Sequence, residues 1–184
     1  MKHPITVYGD PVLRRVSEPI GPDYPGLEEF LADFWETMYY ADGVGLAAPQ
    51  VGKSIRIFVI DASAMADEDP SLKDFRKVFI NPTILELSGE PWTMEEGCLS
   101  LPEIRENVAR PDKITIRYQD EKFQWHEESY SGYVARIIQH EYDHLQGKLF
   151  VDYLSPLRKK LLRGRLLAIT KGKVNPHYKI RVPA

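Results

Sequence analysis

The sequence predicts an α+β fold in which mostly antiparallel strands pack around a central helix, with an N-terminal amphipathic helix before them and a C-terminal helix after. Two observations carry this expectation. A helical pattern comes first, a block of β-branched and aromatic runs follows, and two more helical patterns close the chain, with no alternation of strand and helix. The 184 residues contain 43% hydrophobic and 11% aromatic side chains, which excludes a disordered chain and sets a prior of about one domain. With no internal repeat or linker, residues 1–184 are read as a single domain ending in a basic helix and tail from about residue 155.

The first helix is read over residues 25–41, where Leu27, Phe30, Leu31, Phe34, Trp35 and Met38 recur at helical spacing, with Asp23 as its cap and Gly43 as its stop. Strands are expected at residues 55–61, 78–87, 114–118 and 122–126, the last two joined by a turn at 119–121. The acidic run from Asp67 to Asp74 reads as a surface loop. A second helix is expected from Gly132 to Gln146, capped by Ser131 and stopped by Gly147 in the left-handed region. The third begins after Ser155 with Pro156 at its first position and carries Leu157, Leu161, Leu162 and Leu166 toward Thr170.

Composition narrows the function classes. Uninterrupted apolar runs reach only four residues, as in Ile57 to Ile60, whereas a membrane span needs about 20. One cysteine makes no internal disulfide, so the expectation is a cytoplasmic protein with neither membrane nor DNA as a partner. The net charge of -3 is unevenly spread. From Tyr153 onward there are nine basic residues and no Asp or Glu, so 15 basic and 27 acidic groups fall before it. Such a tail is read either as a surface for an anionic partner or as a solvated helix face.

The chemistry concentrates in the second helix, where His140, Glu141 and His144 form HEYDH, an instance of HExxH. Positions i and i+4 share one face, so two imidazoles can grip one cation while the glutamate reaches a water beside it. With five His and 15 Glu in 184 residues, chance supplies the pattern in about one such sequence in a hundred. Catalytic sites of this kind take three protein ligands. A glutamate on a later helix is excluded because no acidic residue follows Asp152, and the extended HExxHxxGxxH pattern fails because Phe150 stands where its last histidine belongs. Cys98, within EGCLSLP, is then the leading third ligand, with Asp152 an outside candidate.

Three segments, GVGLAAPQ from Gly43 to Gln50, EGCLS from Glu96 to Ser100 and QHEYDHLQG from Gln139 to Gly147, together resemble the peptide deformylase family of the bacterial type. They occur in order across 105 of the 184 positions. The resemblance implies that Cys98, His140 and His144 bind one divalent transition metal, Fe2+ natively with Zn2+, Ni2+ or Co2+ as substitutes. It implies that Glu141 is the acid/base residue and that the Gln50 side chain and the Leu99 backbone N–H stabilise an oxyanion. It also implies removal of the formyl group from the N-terminal methionine of new polypeptides, with release of formate.

Physical reasons stand beside each role. Formamide hydrolysis needs a nucleophile at neutral pH, which a metal ion supplies, and a proton for the departing amine, which a glutamate supplies. Gly43 and Gly45 lie on the segment along which the resemblance places substrate as an added strand. Tyr133 and Ile137, seven and three residues before His140, share its stripe and with Val44 and Met94 are read as a pocket for a methionine side chain, although core packing explains the pair as well. Arg136 is expected at the rim of that pocket. The partner implied is a nascent formylated polypeptide, with the ribosome as a second partner through the basic tail.

Overall fold

The computed structural model describes residues 1–184. In chain order the elements are β1 (Ile5–Thr6), α1 (Leu27–Tyr40), β2 (Gly45–Ala47), β3 (Ile57–Asp61), β4 (Arg76–Ser88), β5 (Trp92–Cys98), β6 (Leu101–Arg110), β7 (Lys113–Gln119), β8 (Trp125–Ser131), α2 (Gly132–Leu145), α3 (Pro156–Thr170) and β9 (Ile180–Arg181). Five strands form an antiparallel sheet in the order β2-β3-β4-β7-β8, β5 and β6 make a separate antiparallel hairpin, and β1 and β9 pair in parallel. No helix is long and apolar enough to cross a membrane.

The run Ile57 to Ile60 in β3 is continuously apolar because the strand is covered on both faces. Phe58 and Ile60 meet Val134, Ala135, Ile137 and Ile138 of α2 in one core. Ile57 and Val59 meet Phe30, Leu31, Phe34 and Met38 of α1 in a second. A third core sets Leu101, Ile104 and Val108 of β6 against Leu149, Phe150, Leu162 and Ile169. The hairpin carrying Cys98 is thereby fixed to the segment that follows α2.

Several local expectations need correction. Helix α1 starts later than expected, through Gly26 at φ 71° instead of an Asp23 cap, because a left-handed glycine turns the chain into the helix without a side-chain acceptor. At its other end Asp42, at φ 59°, takes the left-handed position assigned to Gly43, while the Gly43 N–H still closes the helix onto the Met38 carbonyl. Ser131 precedes α2 but makes no side-chain cap; the Gly132 N–H donates to the Asp112 backbone and side-chain oxygens instead. Gly147 does stop α2, at φ 73°, where an added Cβ would lie 2.5 Å from the Arg14 carbonyl oxygen. In α3, Ser155 caps the Arg158 N–H as expected, yet Leu157 and Leu161 are exposed and Leu162 and Ile169 are the buried residues.

The strand expected at residues 122–126 lies instead at Trp125–Ser131, after a loop in which Asp120 accepts the N–H groups of Lys122 and Gln124. As the outer strand of its sheet, β8 alternates exposed and half-buried positions, so Glu127, Glu128 and Ser129 suit it although they are poor strand formers. The Asp67–Asp74 stretch is less open than a plain loop: Asp69 caps a short turn at Pro70–Leu72, and Leu72 is buried.

Candidate metal centre and active-site cleft

Helix α2 presents His140 and His144 from adjacent turns, with ring centroids 5.2 Å apart. Cys98 ends β5, where the hairpin register shifts before β6 begins, and its Sγ lies 3.4 Å from the His144 Nε2. One donor atom from each of Cys98, His140 and His144 falls within 4.8 Å of the others. Asp152 is elsewhere, paired with Arg14 at 2.7 Å and accepting the Leu149 N–H.

The donor set fits a divalent transition ion. Burial first, and then neighbouring His140, holds His144 well below its ordinary pKa, so its imidazole stays neutral and offers a lone pair. The His140 Nδ1 is 2.9 Å from the Glu96 Oε1, which leaves Nε2 to face the cluster. A thiol among two imidazoles is a soft, borderline set suited to such ions.

Behind the donors sits a buried charge network that sequence reasoning did not anticipate. Glu96 accepts from Arg110 and Arg136 as well as His140, and Arg110 also reaches Asp143 at 2.9 Å. Two carboxylates thus face two guanidiniums, all almost fully buried. Arg136 is a correction: it is 3% exposed and not at the rim, because its guanidinium is tied to Glu96 and the Val108 carbonyl and lies 4.2 Å over the Trp92 ring. No local signal marks Arg110, Arg136 or Asp143, since charged residues default to the surface.

Glu141 is 5% exposed and its Oε2 has no hydrogen-bond partner. Burial, only partly offset by His140, pushes its carboxyl up to about 7. Strand β2 passes directly over it: a Cβ on Gly45 would lie 2.8 Å from the Glu141 Oε1. Gly45→Ala is therefore expected to displace that carboxylate and cut turnover at least about tenfold, with only a small change in melting temperature. Unchanged kcat in that variant would show that the contact is irrelevant.

Gln50 is 2% exposed. Its Oε1 accepts the Ala47 N–H at 2.9 Å, and its Nε2 points toward the Ser100 Oγ at 3.2 Å and the Cys98 Sγ at 3.5 Å. The backbone N–H of Leu99 donates to no acceptor within the chain. A cleft of about 420 Å³ gathers Gln50, Cys98, Leu99, His140 and Glu141 with Gly43, Val44, Gly45, Met94, Tyr133 and Ile137. His144 lies beneath its floor, and residues 67–74 line no part of it. Among the cleft residues that escaped notice in the sequence is Tyr178, from the tail after α3.

An α+β fold that sets an HExxH helix against a cysteine-bearing hairpin defines a hydrolase of the metal-dependent kind. Residues 2–160 match the family described as polypeptide deformylase. The chain is 54% identical to the peptide deformylase of Christiangramia forsetii, covering 98% of this chain and 95% of that one, and 50% identical to that of Flavobacterium johnsoniae, covering 98% and 96%. Its fold superposes on the peptide deformylase of Thermus thermophilus with a TM-score of 0.82 at 38% identity, covering 94% of this chain and 99% of that one. The Thermotoga maritima enzyme gives 0.76 at 43% identity, covering 85% and 99%. The chain belongs to the polypeptide deformylase family.

Proposed function

We propose that residues 1–184 act as one catalytic domain that hydrolyses the N-formyl group from the N-terminal methionine of new polypeptides and releases formate. The observation that carries this reading is the meeting, in one cleft, of the Cys98, His140 and His144 donors with buried Glu141 and the Gln50 amide. In it α2 is the central element of the fold, with α1 as the N-terminal amphipathic support. Cys98, His140 and His144 would hold one divalent ion, natively Fe2+, with Zn2+, Ni2+ or Co2+ as substitutes. When bound, the ion makes a nucleophile available near neutral pH and polarises the formyl carbonyl.

The chain's own residues do the rest. Glu141 takes a proton from the attacking water and returns it to the departing amine, which would otherwise leave as an unstable anion. Gln50 Nε2 and the Leu99 N–H donate to the oxygen on which charge accumulates, and losing one such donor costs about 100- to 1,000-fold. Strand β2 is an outer strand of its sheet, so the Gly43–Gly45 segment can pair with an extended peptide along the edge turned away from β3, the Gly43 N–H and Val44 carbonyl being already bonded to Met38 and Asp61. Val44, Tyr133 and Ile137 wall the pocket for the methionine side chain.

The natural partner is then a nascent formylated polypeptide in the cytoplasm. Lys159, Lys160 and Arg163 are exposed on α3 and suit phosphate contacts on ribosomal RNA. Neutralising all three is expected to abolish low-salt cosedimentation with ribosomes; unchanged cosedimentation would remove that contact from the account. The central test is formate release from formyl-Met-Ala-Ser compared with the acetylated and unblocked peptides, using enzyme stripped by a chelator and reloaded with metal. Formate from the formylated peptide alone, lost on stripping and regained on reloading, is expected. Internal peptide cleavage without formate would overturn the reading in favour of an endopeptidase.

A further inference from the structure

The tail after α3 lies beyond the residues that match the family, yet it returns to the cleft. Strand β9 is anchored beside β1 through the pairs Ile5 with Ile180 and Thr6 with Arg181. Just before it, the Tyr178 O–H donates to the Leu99 carbonyl oxygen at 2.8 Å. The same tail also reaches the end of α1, where the His177 ring nitrogen is 3.0 Å from the Tyr40 carbonyl oxygen. It therefore bridges the end of α1 and the turn between β5 and β6.

That turn is held unevenly. Ser100 is fixed twice, its carbonyl accepting the Tyr8 N–H at 2.9 Å and its hydroxyl accepting from Gln50 at 3.2 Å. The backbone of Leu99, a cleft residue, has one partner only, Tyr178, and its N–H makes no bond within the chain. On the other side the Leu99 side chain packs so closely on Gly43 that a Cβ there would lie 3.0 Å from Cδ1.

We propose that Tyr178 is a positioning residue: by holding the Leu99 carbonyl it fixes the adjoining Cys98–Leu99 peptide, so that its N–H stays aimed at the formyl oxygen. This rests on the reading of that N–H as an oxyanion donor. The carbonyl and the N–H flank one Cα, so freeing the first lets the second swing, and a donor out of line loses much of its effect on a charge that develops only in the transition state. The C-terminal tail is then part of the active site although it touches no reacting atom.

The test is Tyr178→Phe, which keeps the ring and removes the hydroxyl, beside His177→Ala, which loosens the neighbouring tail contact without touching Leu99. Tyr178→Phe is expected to lower kcat for formyl-Met-Ala-Ser about tenfold with KM within about twofold. Amide hydrogen exchange over residues 97–101 is expected to quicken in Tyr178→Phe, in metal-loaded and stripped protein alike, whereas His177→Ala should match wild type in kcat and exchange. An unchanged kcat in Tyr178→Phe overturns the proposal, as does an equal loss in His177→Ala, which would assign the effect to tail docking. Absence of formate release by wild type would instead sink the proposed function.

Discussion

Glu141→Gln is expected to lower kcat for formate release by about 100- to 10,000-fold while metal content and folding stay intact. The carboxylate is buried and one of its oxygens is unpartnered, so no structural hydrogen bond is lost at Oε2 when the group becomes an amide. Volume is conserved, and no cavity opens. Burial raises the carboxyl from its ordinary range in the metal-free chain, and a carboxyl can both accept and return a proton; an amide can do neither. Because the lost step belongs to the transition state, KM should move little. The decisive measurement pairs steady-state kinetics with metal analysis of the same sample, and wild-type turnover in the variant would remove Glu141 from the mechanism.

Glu96→Ala is expected to have the largest effect on stability. It strips the carboxylate from Arg110, Arg136 and His140 together, leaving buried guanidinium charge without its main partner. Breaking a buried pair in this way costs about 3–5 kcal/mol, which lowers the melting temperature of a chain of this size by roughly 6–20 °C. His140 also loses the group that orients its ring, so metal affinity should fall about 10- to 100-fold. The pH dependence follows from the carboxyl itself. Burial alone would raise its pKa, but hydrogen bonds from His140 and Arg110 outweigh that and hold it down from 4.5 to about 2. A group depressed on folding stabilises fully above its unfolded value and loses that contribution as pH falls through the folded one. Wild type should therefore lose stability between about pH 4.5 and 2 more steeply than Glu96→Gln, as followed by thermal unfolding across that range. A drop in melting temperature under about 2 °C for the alanine variant would show that the network tolerates the loss.

Features with a local cause were legible in the amino-acid order. The i, i+4 histidines needed only a helix to bring them together, and the apolar run in β3 and the Ser155–Pro156 start of α3 obeyed short-range rules. Cys98 lies 46 positions before His144, and the hairpin that carries it there has a weak strand signature, because Glu96 and Arg110 occupy inward positions where alternating apolar residues would have announced it. Elimination among ligands and the likeness of motifs found it; periodicity did not. Arg136 was misplaced for a related reason. A lone arginine on an apolar stripe looks like a rim residue until a carboxylate from a distant strand is known to lie beneath it. Tyr178 had no signal at all, since two paired residues at the end of a chain carry no pattern.

Strand β9 beside β1 ties Ile180 and Arg181 to Ile5 and Thr6, two stretches 175 positions apart in the sequence. That pairing closes late in any order of folding, because it joins distant stretches, and only with it in place is Tyr178 held beside Leu99. Removing the chain from Tyr178 onward would leave every metal donor in place and, with Tyr178 as a positioning residue, is expected to yield a slower catalyst.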